Sequence, residues 1–453
     1  MPKPPDQRTP NLRLREMIAA CAMSYETVAR AVVRVAAENG EVLRTNKSAV
    51  AHWVAGVQPN PQTVAYLAEA LSRRTGRAVT PTQLGLAAAP GPRLAGAQPI
   101  ETATLLGRAD VEHHDLLAAA VYTASEIAMP LAYDHEPVAR LLRARTGGAR
   151  VGADEVAVVR QVTKAFTAAD EKLGGGHGLS TAAAYLADTA APMLSGRFSH
   201  DTTRSDAFAA VAELSWLLGW KHHDLGHEGA AQRYYLLGFQ LAVEADPHAH
   251  AAWMMRAVAH QALSLKQPRH SLNVAQAALE RAGDYTDGAT QALLHITHAR
   301  ANAALGQKSQ AARALLAAED ALDQGSEPQP TYSRLMGPAV GTVDSHTART
   351  LTEIGDHAGA EARHRAAFIS WDPVAFPRVH LLTHMDLGDS LATQARADEA
   401  IAAWSRALDL TKGVTSARSS SALASIRPTL TAYQRRGVPG AMLLERRIWR
   451  TAA

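Results

Sequence analysis

The sequence has one cysteine, few aromatic residues and no long apolar run. Cys21 is the single cysteine among 453 residues, which excludes an internal disulfide and a paired-cysteine metal or redox motif. Consecutive apolar residues never reach the length of about 18 that a membrane-spanning helix needs. The N-terminal stretch MPKPPDQRTPNLRLR lacks the apolar core of a signal peptide. We therefore expect a cytoplasmic protein that has no membrane partner.

Aromatic residues account for only 5% of the chain, whereas hydrophobic residues as a whole reach 47% and alanine is abundant. Small apolar side chains suit closely packed helices better than large sheets. No segment alternates β-branched and polar residues as a strand would. The composition therefore predicts an all-α fold, and the length predicts either several domains or an extended array.

Charge of one sign is concentrated at the N-terminus. Residues 1–86 contain 11 Lys and Arg residues against 6 Asp and Glu residues, a net charge of +5, whereas the whole chain carries +3. The rest of the chain is therefore close to neutral. A basic segment on a near-neutral body suggests a polyanionic partner for that segment.

The chain divides into three predicted segments. Residues 1–86 form a small basic helical domain, and residues 105–453 form a helical repeat domain. Between them, residues 87–104 include the sequence AAAPGPRLAGAQP, which has neither helical periodicity nor strand alternation. We interpret residues 87–104 as a linker.

A triplet of positions recurs through the repeat domain: a small residue, a second position four residues later, and another small residue three after that. The first members are separated by 40, 40, 49 and 40 residues, and the longest step contains the loop-like GSEPQP. A period of this length predicts an α-solenoid of helix pairs; an irregular alanine-rich bundle is the alternative. The triplets are Ala231/Tyr235/Gly238, Ser271/Ala275/Ala278, Ala311/Leu315/Ala318, Ala360/His364/Ala367 and Ala400/Trp404/Ala407.

The stretch TNKSAVAHWVAG predicts a short helix with two different faces. Val50 and Trp53 are three residues apart and therefore share one face. Lys47, Ser48 and His52 fall on the opposite face. Because an apolar pair on a short helix normally faces the core, we expect Val50 and Trp53 to anchor it.

The order apolar-x-x-Trp-x-x-Gly, followed by prolines and the helix VAYLAEAL, resembles the λ-repressor/Cro (XRE) helix-turn-helix family. In that family the corresponding helix enters the major groove of DNA by its N-terminal end, and paired domains contact two half-sites. The resemblance implies a double-stranded DNA operator as partner and a homodimer as the binding form. It also implies base contacts for Lys47, Ser48 and His52, and backbone contacts for Arg44, Thr45 and Asn46.

The connection before this helix, VRVAAENGEVLRTN, is longer than the family's usual turn of about four residues. It is either an extended second helix that breaks at Gly40 or a wing that contacts the DNA backbone through Arg34 and Arg44. Three cations close the domain, either as solvated charges at a helix end or as phosphate contacts. They are Arg73, Arg74 and Arg77.

Segments along most of the chain follow the order seen in bacterial XRE-type regulators with C-terminal tetratricopeptide-like repeats. They include VARAVVRVAAENG, SAVAHWVAGVQP, AELSWLLGW and GAAQRYYLLGFQLA. The architecture is also similar to that of RRNPP-class sensors. The resemblance implies a transcriptional regulator whose repeat domain dimerises and senses a peptide, small-molecule or protein effector. The alternative is a tetratricopeptide-type adaptor whose N-terminal module binds protein.

Tetratricopeptide geometry would turn one face of each first helix inward, where aromatic surface and a few charges suit a ligand groove. The alternative is that the tryptophans belong to the core between helices. The groove candidates are Trp216, Trp220, His223, Trp253, Arg256, His260, Arg300 and Asp389.

Catalytic and metal-binding motifs are weak. The sequence HHDLGH spaces His222, His223 and His227 as metal ligands could be spaced, but it lies where a turn between paired helices is expected. The run LGGGHG lacks the Lys-Ser/Thr ending of a P-loop, and we interpret it as a flexible helix–helix connection. We therefore expect a protein that is not an enzyme and needs no metal or cofactor.

Overall fold

Helices account for nearly all the regular structure. The computed structural model describes residues 9–76, 78–87, 98–136, 148–325, 328–335 and 337–452. Within these ranges, β-structure is limited to two short strands in parallel pairing, β1 (Arg150–Val151) and β2 (Arg197–Phe198). The all-α prediction is confirmed. Among the residues described, no helix combines the length and apolarity needed to cross a membrane.

Four helices near the N-terminus pack around a core of their own. The residue before each helix accepts a side-chain hydrogen bond from a backbone N–H in the first turn, which satisfies one of the amides left free at a helix start. These caps are Asn11, Ser24, Asn46 and Asn60. The helices are α1 (Leu12–Ala20), α2 (Tyr25–Glu38), α3 (Lys47–Val54) and α4 (Pro61–Thr75).

The long connection before α3 begins with an extended second helix. Helix α2 continues to Glu38, and Gly40 then adopts a left-handed conformation with φ +75°. The N–H groups of Gly40 and Glu41 close the helix by donating to Ala37 and Ala36 at 3.1 and 3.0 Å. Of the two interpretations of this segment, the one with a helix that breaks at Gly40 describes the backbone.

The body of the protein begins inside the segment predicted as a linker. Residues 88–97 of that segment lie outside the described residues. A helix starts at Pro99, five residues before the predicted end of the linker. Proline suits this position because its missing N–H would be unpaired in the first turn anyway. The elements here are α5 (Pro99–Glu112), α6 (His114–Ala118), a 3-10 turn (Ala124–Ala128) and α7 (Met129–Ala132).

The N-terminal helices contact the body through α4. Gln62 Nε2 donates to the carbonyl of Ala119 at 2.7 Å, and the backbone N–H of Ala124 donates to Glu69 Oε1 at 2.9 Å.

Next along the chain come α8 (Ala153–Leu173), α9 (Leu179–Tyr185), a π-turn (Leu186–Ala190) and α10 (Ala191–Met193).

Five antiparallel helix pairs then follow in succession, each packed against the next. All fifteen residues of the predicted triplets lie on the second helices and are buried, so the predicted array of helix pairs is confirmed. The helices are α11 (Asp201–Leu225) with α12 (Glu228–Ala245), α13 (Ala249–Ser264) with α14 (Pro268–Ala282), α15 (Gly288–Ala304) with α16 (Lys308–Gln324), then the short α17 (Thr331–Arg334), α18 (Ala339–Ile354) with α19 (His357–Ser370), and α20 (Pro377–Thr393) with α21 (Ala397–Asp409).

Glycines in two first helices make room for large residues of the triplets. A Cβ atom at Gly219 would lie 2.7 Å from the ring of Tyr235, and one at Gly388 would overlap the indole of Trp404. The bulky side chain thus fills a gap that only the absence of a Cβ provides. This is the physical basis of the small–large–small pattern at these two pairs.

Helix α17 lies within the longest repeat step and packs against the first helices of the first two pairs. On α17 the ring of Tyr332 stacks on His250 with centroids 4.5 Å apart and lies 5.7 Å from Trp253. Thr331 Oγ1 donates to Glu213 at 3.0 Å. Helix α17 therefore belongs to the packing of the first two helix pairs.

The chain ends with α22 (Ala417–Ser425), α23 (Arg427–Arg435) and α24 (Ala441–Ala452), and the start of α22 returns to the beginning of the array. The backbone N–H of Thr415 donates to the carbonyl of Leu173 at 2.9 Å. A Cβ at Gly174, whose φ is +89°, would overlap the Thr415 backbone, and one at Gly175 would overlap Lys221. The LGGGHG run is thus a helix–helix connection, as predicted, and its first two glycines are buried in close contacts.

Candidate functional site

Helix α3 has one face fixed in a core and one face open to solvent. The side chains of Val50 and Trp53 are 0% and 7% exposed because they pack into the core that α1, α2 and α4 share. Lys47, Ser48 and His52 are exposed. The helix therefore presents three polar side chains on a support held in place by its own anchors.

The residues before α3 surround its N-terminal end. Arg44 and Asn46 are exposed, and Thr45 is half-buried. Asn46 Oδ1 accepts a hydrogen bond from an amide of the first turn at 3.0 Å. By helix geometry the amides of Lys47 and Ser48 have no carbonyl one turn earlier, so this end attracts anions.

The basic end of α4 is used inside the domain. Arg73 lies 2.6 Å from Glu38 of α2 and donates from Nε to Glu69 at 2.6 Å. Arg74 Nε donates to the backbone carbonyl that follows α1 at 3.1 Å. Arg77 lies outside the described residues. Neither predicted role, a solvated helix-end charge or a phosphate contact, describes Arg73, because ion pairs across two helices engage it.

A cavity of about 90 Å³ lies between α8, α11, α13, α18, α20 and α22. Three predicted groove residues, Trp216, Trp220 and His260, line it. The sequence did not predict the remaining lining residues, which are Glu171, Thr342, Ser345, His346, Arg349, Trp371, Arg378, Val379, Leu382, Thr383 and Arg418.

Three other groove candidates are buried in the packing between helices. Trp253 is 1% exposed, and Arg256 donates from Nε to the carbonyl of Leu293 at 3.0 Å. His223 Nδ1 lies 2.9 Å from a carboxylate oxygen of Glu228. For these three residues the core interpretation describes the structure better than the groove interpretation.

The last two candidates line a neighbouring depression of about 490 Å³. Arg300 and Asp389 contribute to its wall, and Arg349 belongs to both this depression and the cavity. Arg300 also reaches toward the cavity, with its Nη1 at 3.5 Å from His260 Nδ1. The eight predicted residues therefore do not form one site.

Aromatic rings and guanidinium groups share the cavity wall. Trp216 and Trp220 stack with centroids 5.9 Å apart and ring planes 14° apart. The guanidinium carbon of Arg418 lies 4.9 Å from the ring centroid of Trp220, and that of Arg378 lies 5.8 Å from it. Arginine over an indole face is a favourable cation–π arrangement.

Arg378 is the centre of a buried ion cluster. Its guanidinium pairs with Asp170, with Glu171 at 3.2 Å and with Asp224 at 3.0 Å. Burial alone would lower the pKa of Arg378, but the three carboxylates outweigh it and raise that pKa above its ordinary value. Lys221 Nζ lies 3.4 Å from Asp170. The charge of Arg378 is thus compensated within the protein.

Arg418 has no comparable compensation. Within the described part of the chain no carboxylate lies within 4.0 Å of its guanidinium, which lies over the Trp220 ring. Burial lowers the pKa of Arg418; Asp224 opposes this effect, whereas Arg349 and Arg378 add to it. Burial also lowers the pKa of nearby Arg300 to about 9. This part of the wall therefore carries positive charge that the protein does not neutralise.

Four polar atoms on the cavity wall lack a protein partner in the ranges described: Glu171 Oε2, Trp220 Nε1, His260 Nε2 and His346 Nδ1. Both histidines are 7% exposed. Burial first, and then the nearby arginines, lower the pKa of each well below its usual value. The imidazoles are therefore neutral at pH 7, and buried polar atoms of this kind normally find a partner.

Arg349, a lining residue that the sequence analysis did not predict, could have been found from the repeat spacing. Trp220, His260 and Arg300 are separated by 40 residues, and the 49-residue step from Arg300 leads to Arg349. Applying the longer step would have placed Arg349 on the same inward face. Residues outside the triplet pattern, such as Arg418, carried no such signal.

The HHDLGH motif is part of a hydrogen-bonded cluster. His222 Nε2 lies 2.8 Å from Asp110, and His114 Nδ1 lies 2.9 Å from the other oxygen of that carboxylate. Tyr234 donates to Asp110 at 2.8 Å. Among the residues that the structure describes, no group of three or more His, Cys, Asp or Glu residues could hold a metal ion. The motif links α5 to α11 and α12.

Comparison with known proteins gives a match at the N-terminus. The sequence model of a family described as the SP15 N-terminal domain matches residues 14–87. This range contains α2 to α4 and most of α1, and its C-terminal limit lies one residue beyond that of the predicted basic domain. No curated protein matches the chain.

Proposed function

We propose that the protein is a sequence-specific DNA-binding transcriptional regulator. In this proposal residues 1–86 bind a double-stranded operator through α3, and the helical array dimerises and senses an effector in the cytoplasm. Two copies would supply two α3 helices for two half-sites.

The exposed face of α3 carries the proposal. Lys47, Ser48 and His52 project from a helix whose opposite side is anchored by Val50 and Trp53. These residue types suit base edges: lysine donates to guanine, serine serves several bases, and histidine can donate or accept. The exposed cations Arg13, Arg15, Arg30, Arg34 and Arg44 add a sequence-independent attraction to phosphates.

The cavity in the array supports the sensing part of the proposal. It combines stacked tryptophans, an arginine without a nearby carboxylate and buried histidines with unpaired nitrogens. A mostly apolar recess with a few convergent polar groups is typical of small-molecule sites. Its walls come from helices far apart in sequence, so occupancy would bear on the arrangement of the array.

Duplex binding as a function of salt tests the DNA-binding part. We expect log affinity to fall linearly with log salt concentration, with the slope of about three or more that several phosphate contacts give. A specific fragment selected from random duplexes should survive competitor DNA. If the full-length protein binds no duplex even at low salt, the adaptor function with a protein-binding N-terminal module replaces this proposal.

A further inference from the structure

The charge on the cavity wall selects the kind of molecule that fits. Arg349, Arg378 and Arg418 line the cavity, whereas Glu171 is its one acidic lining residue. Glu171 binds Arg378 through Oε1 at 3.2 Å, its Oε2 has no partner in the described residues, and burial raises the pKa of this carboxyl. Arg349 also has a partner, because its Nε donates to Asp386 at 2.7 Å. A bound anion would therefore meet the uncompensated Arg418 and the outer edge of Arg349.

The aromatic surface selects the other half of the molecule. Trp216, Trp220 and Trp371 line the same cavity. Indole faces attract planar unsaturated rings by stacking and by dispersion. The volume of about 90 Å³ is below the roughly 150 Å³ of a cavity that holds benzene, so a ring would enter this recess only in part, and a folded peptide segment would not fit.

The unpaired polar atoms indicate that the cavity is built for a polar occupant. Trp220 Nε1 is a donor, and each neutral imidazole, His260 and His346, offers one buried nitrogen as donor or acceptor. Leaving such buried atoms unpaired is unfavourable, because they lose their hydrogen bonds to water without replacement. A ligand that reaches them removes that cost.

We propose that this cavity binds a small organic anion with a planar unsaturated ring, whose anionic group accepts hydrogen bonds from Arg418 and Arg349 while its ring lies against Trp220. The inference rests on the proposed function only in making this molecule the effector. Guanidinium forks accommodate carboxylates and phosphates alike, so the shared chemistry is an aromatic ring that bears either group.

Calorimetric titration of the full-length protein with three probes tests the proposal. Benzoate and phenyl phosphate carry the ring with either anionic group, and benzamide is the neutral counterpart of benzoate. We expect at least one anion to bind with millimolar or lower Kd and about tenfold more tightly than benzamide. Tryptophan fluorescence should change on saturation, because Trp220 lies at the ring position.

Arg418→Gln is the decisive variant, and Arg269→Gln on the exposed side of α14 is its matched control. Arg418→Gln should reduce anion affinity about tenfold or more, leave benzamide binding unchanged and leave the unfolding temperature unchanged or raised. Trp220→Leu should weaken all three probes. Equal affinity for benzoate and benzamide, no saturable anion binding up to about 10 mM, or full anion affinity in Arg418→Gln would overturn the proposal.

The same titrations keep this proposal distinct from the proposed function, because they contain no DNA. Anion binding that depends on Arg418 supports the cavity assignment even if duplex affinity does not respond to the anion. Duplex binding in a protein that binds neither anion overturns the cavity assignment and leaves the DNA-binding proposal in place.

Discussion

At the scale of single residues, two arginines that line one cavity differ in their charged partners. Arg378 meets three carboxylates, whereas Arg418 meets an indole ring and other cations. Removing one partner of a buried ion cluster leaves uncompensated charge and is costly, whereas Arg418 is half-buried and has no ion pair among the described residues. The two arginines therefore respond differently to substitution.

Three residues at α3 give a prediction about DNA recognition. Lys47→Ala and His52→Ala should each relax sequence preference by about 1–3 kcal/mol at one base pair, because base contacts specify sequence. Arg44→Ala should weaken all duplexes alike, because phosphate contacts carry no sequence information. Competition binding with single-base-pair variants of the selected fragment measures both effects. Uniform, sequence-independent losses from all three would remove Lys47 and His52 from the base-contacting set.

A second prediction concerns His364, the middle residue of the fourth triplet. It is 1% exposed and neither ring nitrogen has a partner in the described structure. Burial lowers its pKa to about 4. Between pH 6.5 and 4 the unfolded state therefore binds a proton that the folded state does not, so this residue removes stability as the pH falls.

His364→Leu should raise the free energy of unfolding by about 1–2 kcal/mol at pH 7 and by more at pH 5. Leucine fits because Leu315 occupies the equivalent position of the previous pair. Thermal unfolding followed between pH 7.5 and 4.5 measures the change. The exposed His113→Gln is the control and should keep the pH dependence of the parent. An unchanged pH dependence in His364→Leu would contradict the buried, neutral state.

At the scale of elements, the array depends on the separation between paired helices. Gly388 on α20 and Trp404 on α21 set that separation in the last pair, since a Cβ at Gly388 would overlap the indole. Trp404 is also held by its Nε1, which donates to Asp389 at 3.1 Å. Neither side chain can change size alone without moving a helix.

Gly388→Ala should therefore destabilise the protein by about 1–3 kcal/mol through overpacking, and Trp404→Leu by a similar or larger amount through a cavity. Combined, they should cost less than the sum, because the smaller leucine makes room for the added methyl group. A double-mutant cycle from urea unfolding measures the coupling. Strict additivity would show that the two residues do not pack as described.

The helix pairs could be predicted from the sequence because each depends on a close contact between a small residue and a large one. Contacts such as that of Gly388 with Trp404 join residues close in sequence and recur at a fixed spacing, so a short sequence pattern reveals them. Much of the cavity was not predictable, because Glu171, Arg378 and Arg418 come from three separate helices. Arg378 meets Asp170 across 208 positions, and no local pattern encodes such a contact.

At the scale of the whole molecule, the ion cluster joins the two ends of the array. Arg378 on α20 binds Asp170 and Glu171 on α8 and Asp224 on α11. Asp224 in turn accepts from Ser416, which caps α22, at 2.9 Å. The late and early helices thus enclose the cavity through charges rather than through repeat packing.

Arg378→Gln should lower the free energy of unfolding by about 3–5 kcal/mol, because it leaves three buried carboxylates without the cation that pairs with all of them. The loss should be smaller at low pH, where protonation neutralises those carboxylates. Arg365→Gln, which removes an exposed ion pair with Glu361, is the control and should hardly move the unfolding midpoint. Equal effects of the two substitutions would contradict the closing role of Arg378.

Docking of α4 on the body is coupled to proton binding by Glu69. Burial raises the pKa of Glu69 to about 7, although Arg73 and the amide of Ala124 partly oppose the shift. Separating the domains would return this carboxyl to water beside Arg73, which lowers its pKa. The docked form therefore binds the proton more tightly, so attachment of the N-terminal helices weakens as the pH rises toward 7. At neutral pH, every release of the N-terminal domain also releases a fraction of a proton to the solvent.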